Sequence, residues 1–597
     1  MQKSILHGCA CIAVIAIQPF PGLGASPVAP SKPPEVVTGS ASTLGLDRMT
    51  VNGRIQPHGL PTKYWFEYGP DVSYGKSTAV RALPPTLSAH YHEDWNNGTA
   101  GWRGGMSAGK DLRFVPDLEA GGGFVRFTEP SRDDPNHTDG IGTLHLASYF
   151  YPGLIIPQKG RTAFLGGGNP DFRDALVTLK VRGRNFVANG SELLWWAQRD
   201  LDVSQQSPEN IRRANWAYTG YSLTEALASG RWENVSYRLE NNSHNWTYAG
   251  NNLSQNRALY VYDSIDTSLG DLNGNFFHLL AFVDPAHPPT GEIDFDDLTL
   301  TYRNYSLLYP ANGGRLVSAA SGSDDDPARL TDGWRNGAGR MWASGNHPTA
   351  PQEFVYRFAA PVTISCVQVY QNTEWPTKDL EVLTSTDGVT WVELLRQTME
   401  PNASDGPNFA FVREANLTRL AAYAKIRILS GYRAEKWGLG GVEVFGTGAQ
   451  YGTDDDWYNV NLDIPDLAPG RTYHFRLVGE NGNGRSVGLN FVHTTPATRR
   501  PHVATREAKR ISATTAVLTG RLTSLGHKTT YYFEYGPDQA CVFRTPDAYG
   551  GMQETPRLVF AGIAGLARNT FYHYRLVGVN SEGMSRGEDA SFRTGTE

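Results

Sequence analysis

A chain of 597 residues is longer than one hydrophobic core usually supports, since cores stop growing near about 250–300 residues, so several domains are expected. With 64 Gly, 36 Pro, 14 Trp and 28 Tyr, and charged residues at 19%, the composition lacks the Ala, Glu, Lys and Leu excess of long helices and points to β-structure. The formal charge of -6 and the absence of any basic tract argue against a phosphate-backbone partner, so no nucleic acid is expected.

In chain order, Lys3 precedes an apolar stretch from Ile5 to Ile17, and the small residues Gly24, Ala25 and Ser26 follow. Residues 1–25 therefore read as a signal peptide, too short in its apolar part to anchor the chain, and the mature protein is expected to be secreted, extracellular and without a transmembrane segment. Cys9 and Cys11 fall in that segment, which leaves Cys366 and Cys541 in different domains and no disulfide scaffold. Residues 26–35, SPVAPSKPPE, form a Pro-rich linker.

Next comes an internal repeat. Tyr64-Trp65-Phe66-Glu67-Tyr68-Gly69-Pro70-Asp71 matches Tyr531-Tyr532-Phe533-Glu534-Tyr535-Gly536-Pro537-Asp538, and the segment beginning at Thr472 returns at Phe571. Tyr473, Phe475 and Leu477 alternate with His474 and Arg476, as in a half-buried strand. Tyr535 and Tyr572 are 37 residues apart, whereas Tyr68 and Tyr473 are 405 apart. The first copy is accordingly read as one module split by an insertion, with residues 36–82 as its first half and 450–496 as its second; residues 502–597 are the second copy. Leu467 six residues before Tyr473, and Leu566 six before Tyr572, resemble the tyrosine corner of fibronectin type III sandwiches, and both modules resemble that family.

Within the insertion, residues 86–303 are β-rich and carry Trp95, Trp102, Trp195, Trp196, Trp216, Trp232 and Trp246. They end in an acidic strand, GEIDFDDLTLTY, and are weakly similar to jelly-roll or concanavalin-like β-sandwiches. Such tryptophans serve a large core more often than a cleft. Glu292, Asp294 and Asp297 resemble the paired carboxylates of family 16 glycoside hydrolases, since alternate residues on one strand face can bring two carboxyl groups together. Asp stands where the second Glu of that pattern belongs, so the strand reads as a structural terminus first and a catalytic one second. Gly105-Met106-Ser107-Ala108-Gly109 reads as a glycine-rich loop, and the acidic runs 324–326 and 454–456 as solvated loops.

Residues 304–447 carry the most ordered set of motifs. Pro327–Gly333, Trp342, Phe354–Phe358, Val367–Tyr370, Ser385–Trp391, Ala424–Ile428 and Gly441–Gly446 follow one another as in discoidin, or coagulation factor 5/8 type C, domains, which the region resembles over about 140 residues. The resemblance implies a galactose-binding-like jelly roll that takes a ligand, most often a sugar, in the loops at one end. Those loops, 333–347, 371–379 and 430–440, hold Trp334, Arg335, Arg340, His347, Trp375, Lys378, Tyr432, Arg433 and Trp437. Aromatic faces pack on the C–H faces of sugar rings and Arg bonds hydroxyls, so Trp375, Arg433, Trp437, Tyr432 and His347 are the ligand-binding candidates. The resemblance also implies a structural calcium near Asp332 and Glu443; read alone, these are equally a tight turn and a strand residue.

The fold class expected is an all-β, multi-domain chain of β-sandwiches. The leading functional expectation is a secreted, non-catalytic carbohydrate-binding protein with a glycan or polysaccharide partner. The alternatives are a glycoside hydrolase or lyase acting through 86–303, and an adhesion or matrix scaffold binding a cell-surface protein.

Overall fold

The computed structural model describes residues 32–96, 112–117, 122–128, 143–145, 171–189, 192–200, 213–248, 262–272, 276–281, 289–320, 325–334, 340–401, 411–447, 454–552 and 554–596. The expected signal peptide, Trp102, the 105–109 loop and Arg335 lie outside these residues. What is described is all-β: antiparallel sheets, two short α-helices, and no helix long and apolar enough to cross a membrane. Cys366 and Cys541 are both buried free thiols.

The repeat pairs across the whole chain. Strand Met49–Gln56 runs antiparallel to Tyr458–Ile464, and Lys63–Gly69 runs antiparallel to Thr472–Asn481 with Phe66 opposite Leu477. The inward residues Met49, Val51, Ile55, Tyr64, Phe66, Tyr458, Val460, Phe475 and Leu477 form one core. The outward Glu67 is gripped by Arg476 and Arg485; burial pushes its carboxyl up, but the two guanidiniums hold it below the usual range. The second copy repeats this arrangement: Thr529–Gly536 pairs with Phe571–Asn580, Phe533 faces Leu576, and Glu534 binds Arg575 and Arg586. In each copy a corner is tied by a phenol. Ala468 N–H donates to the Tyr473 hydroxyl at 2.8 Å and Ala567 N–H to the Tyr572 hydroxyl at 2.9 Å.

Between the halves of the first copy stand two further sandwiches. In the first, a six-stranded sheet is built on Asp171–Val187 and Thr290–Arg303, flanked by Glu233–Arg238, Gly123–Phe127, Leu112–Pro116 and Leu87–Glu93. A five-stranded sheet containing Glu192–Asp200 and Arg213–Tyr218 packs on it. Trp95, Trp195, Trp216 and Trp246 fill the space between, so these tryptophans are core. Trp196 points the other way, onto Val517 and Phe560 of the C-terminal module. In the second sandwich two very long strands, Gln352–Gln371 and Phe411–Gly431, cross the sheet; register shifts at Arg357/Val362 and Ile364/Cys366 bend them so that one seven-stranded sheet curls around Trp342, Phe354, Tyr356, Val369 and Ile426.

The insertion is clasped where it begins and ends. Arg303, the last residue of its strand, donates to the carbonyls of Pro85 and Arg173 and to the Asp174 carboxylate, each at 2.8 Å. Its guanidinium also lies 4.4 Å over the Tyr458 ring of the returning half-module. Asp174, itself fully buried and in the left-handed region (φ 61), accepts in turn from Asn241 N, Asn459 N and Asn459 Nδ2. Removing one partner of a buried pair leaves an uncompensated charge. Asp174→Ala is therefore expected to destabilise the protein by about 3–5 kcal/mol in urea unfolding, whereas Asp47→Ala, which removes an exposed pair with Arg48, should change it by less than about 1 kcal/mol.

A second joint binds the C-terminal module. Arg521, buried, donates to the carbonyls of Ser243 and Trp246 in the first inserted sandwich. Around it, Ser40 and Ser42 bond His244, and Thr43 Oγ1 lies 3.4 Å from both His493 Nε2 and His502 Nε2. Burial, then the nearby Arg521 and Arg506, lowers His244 to about 4; burial and His502 lower His493 to about 4; burial also lowers His502. An unfolded chain protonates these imidazoles near 6.5, so it binds more protons than the folded one below that value, and stability present above it is lost as the pH falls toward 4. The melting temperature is expected to drop between about pH 7 and about pH 4.5, and the drop should shrink in His493→Gln; an undiminished drop in that variant would contradict the assignment.

Candidate functional site

The strand Gln352–Gln371 ends in two buried amides that organise a loop. Gln371 Nε2 donates to the Thr377 and Glu400 carbonyls, and its Oε1 accepts from Thr377 N, which closes the loop at its base. Asn372 Oδ1 accepts from Glu374 N and Trp375 N, both at 2.8 Å, while its Nδ2 donates to the Trp342 carbonyl. The neighbouring loop joins through Tyr432 N to Pro376 O, and Thr377 Oγ1 to Gly438 O. A third loop joins through Ser344 N to Trp437 O, Trp437 N to Ser344 Oγ, and His347 N to Glu435 O. Segments 343–347, 371–377 and 431–438 are thereby laced into one rim at the end of the sandwich.

On this rim the structure brings together Trp375, Tyr432 and Arg433. Trp375 is half-buried, with the Arg433 guanidinium 5.3 Å from its ring centroid. Tyr432 is 42% exposed, its hydroxyl donating to the Met399 carbonyl. Trp437 is half-buried against the core cluster and lies over Gly431, where a Cβ would come within 2.2 Å of its Cδ1; glycine is what lets the indole sit there. It supports the rim from below. His347 is exposed at the edge, held at φ 50. A half-exposed indole beside a guanidinium, on backbone that hydrogen bonds hold fixed, can present an apolar face and N–H donors to a ring carrying hydroxyls.

Trp334 and Arg340 belong elsewhere. Trp334 stacks on His90 at 4.6 Å with Arg340 on its ring at 4.5 Å, and His90 N donates to Gly333 O, so this turn is the joint between the two inserted sandwiches. A Cβ at Gly333, which has φ 93, would fall 1.9 Å from the Ser88 carbonyl.

Glu443 is buried and accepts hydrogen bonds from the Tyr309 and Tyr370 hydroxyls; Asp332 is exposed and accepts from Trp334 N. Calcium takes six to eight oxygens. Among the described residues no group of three or more His, Cys, Asp or Glu is placed to hold a metal ion.

In the acidic strand, Ile293 and Phe295 enter the core, and Glu292 and Asp294 face outward. Asp294 is fully buried nonetheless, because Arg126 and Arg182 each grip it with two nitrogens at 2.6–3.0 Å. Both oxygens are occupied, which suits a structural counter-ion and not a nucleophile. Asp297 sits at φ 48 and pairs with Lys180; burial and the adjacent Asp297 raise Asp296 to about 6.

The sequence matches no family model and no curated protein. Among solved structures it is similar to the CBM32-3 module of a family 31 glycoside hydrolase from Clostridium perfringens (14% identity, 22% of this chain and 91% of that one, TM-score 0.19). It is similar also to allantoicase from Saccharomyces cerevisiae (12% identity, 46% and 73%, TM-score 0.20) and to chitosan-binding module 1 of a chitosanase/glucanase from Paenibacillus sp. IK-5 (17% identity, 24% and 100%, TM-score 0.19).

Because Asn372 satisfies two backbone donors and one carbonyl of the rim, Asn372→Ala is expected to cost at least about 2 kcal/mol in urea unfolding and to change the near-ultraviolet tryptophan dichroism. Unchanged stability would show that the rim does not depend on it.

Proposed function

We propose that this is an exported protein that binds a saccharide chain, without cleaving it, through the rim formed by residues 343–347, 371–377 and 431–438. The observation that carries this reading is the half-exposed Trp375 paired with the exposed Arg433, with the exposed Tyr432 on the same rim, on loops held by backbone hydrogen bonds. Preorganised aromatic and Arg anchors lose little freedom on binding, which is where affinity for a weakly hydrophobic ligand is otherwise lost. The resemblance of residues 304–447 to discoidin domains, which most often take a sugar in the loops at one end, suits a binding unit.

The test is a glycan array and polysaccharide pull-down with the full chain, Trp375→Ala, Arg433→Ala and Trp437→Ala, alongside an assay for released reducing ends. Trp375→Ala and Arg433→Ala are expected to weaken binding of the selected glycan about tenfold or more, with no reducing ends released. Full affinity in both variants would remove the rim from the account, and released ends would replace binding with catalysis.

A further inference from the structure

The outer face of the six-stranded sheet carries a second arrangement that the rim does not use. Arg113, Arg126, Asp294 and Arg182 stand directly opposite one another on four successive strands: Arg113 faces Arg126, Arg126 faces Asp294, and Asp294 faces Arg182. In the adjoining position Arg184 faces Glu292. Like charges directly opposite on a sheet are destabilising, so the Arg113–Arg126 pair is a cost that the fold carries.

Asp294 offsets Arg126 and Arg182 and no more. Glu292 is then approached by Arg113, Arg126 and Arg184 at 3.5–3.6 Å, too far for hydrogen bonds. Four guanidiniums thus meet two carboxylates in a chain whose overall formal charge is -6. Arg113 and Arg184 are 56% and 49% exposed and hydrogen-bond no carboxylate among the described residues, so their donors face solvent. Beside them Trp232, half-buried, carries Arg182 at 4.4 Å and meets Phe124 edge-on at 5.3 Å, adding an aromatic border to the cationic row.

We propose that this face is a separate binding site for an acidic saccharide, its carboxylate or sulfate groups bonding Arg113 and Arg184 and its ring lying toward Trp232. Guanidiniums bond such anions with two parallel N–H groups, which suits discrete acidic groups spaced along a chain. The face is independent of the rim reading, since it lies on the other inserted sandwich.

The test uses the full-length protein, the double variant Arg113→Ser/Arg184→Ser, and Glu292→Gln, with polygalacturonate, dextran sulfate, neutral dextran and duplex DNA as probes at about 50 mM salt. Arg126 and Arg182 are left intact because they hold Asp294. The parent protein is expected to bind one or both acidic polysaccharides, to ignore neutral dextran, and to lose about tenfold in affinity in the double variant. Glu292→Gln, which removes the competing carboxylate, is expected to tighten binding, an effect a purely structural ion network would not give. No binding of either acidic polysaccharide, an unchanged double variant, an affinity in Glu292→Gln no higher than the parent's, or equal affinity for DNA would each overturn the proposal. A Trp375→Ala control that keeps acidic-polysaccharide binding separates this site from the rim.

Discussion

The architecture depends on the ion pair between Asp174 and Arg303. A chain that leaves one half-module, builds two sandwiches and returns must bring its departure and return points together, or the first repeat cannot close. Arg303 reaches the carbonyl of Pro85 on the way in and lies over the ring of Tyr458 on the way back. Asp174 binds Arg303 and the backbone and side chain of Asn459. Two buried charges are tolerable there because each is bound by the other and by several further hydrogen bonds, with Asn241 and Asn461 adding to the contact. Around it, Arg173 links Asp171 and Asp266, and Arg81 of the first half-module also reaches Asp266, so the interface is a polar network and not an apolar one.

From that clasp the remaining surfaces follow. The five-stranded sheet of the first inserted sandwich gives its outer face to the C-terminal module, through Trp196 on Phe560 and Val517 and through Arg521. The second inserted sandwich docks by the His90–Trp334 stack. Among the described residues, no other module packs on the row around Arg113 and Arg184 or on the loop rim around Trp375. Both proposed sites draw on described residues that these joints do not use.

Much of the fold was legible because half-buried strands alternate: Tyr64 and Phe66 against Trp65 and Glu67 is readable in one line, as is its return at Tyr531. The rim candidates were legible as residue types in loops. Which of them belong together was not, because the answer lies in Gln371 and Asn372, ordinary amides whose role is their hydrogen bonds. Trp334 and Trp375 look alike in sequence, yet one is a joint and the other a rim residue. Trp195 and Trp196 are neighbours facing opposite sides of a sheet buried on both, so alternation of polarity could not separate core from interface. The cationic row left a partial trace in the alternation Lys180, Arg182, Arg184, but Arg113 and Arg126 join it only through strand pairing from more than fifty residues away.

If the loop rim takes a saccharide, hydrogen–deuterium exchange of the full chain with and without an array-selected oligosaccharide will register it there. Slowed exchange confined to amides of residues 373–378 and 431–437, with the opposite end of the same sandwich unchanged, is the expected result. Protection that appears elsewhere while those amides exchange as before would contradict it.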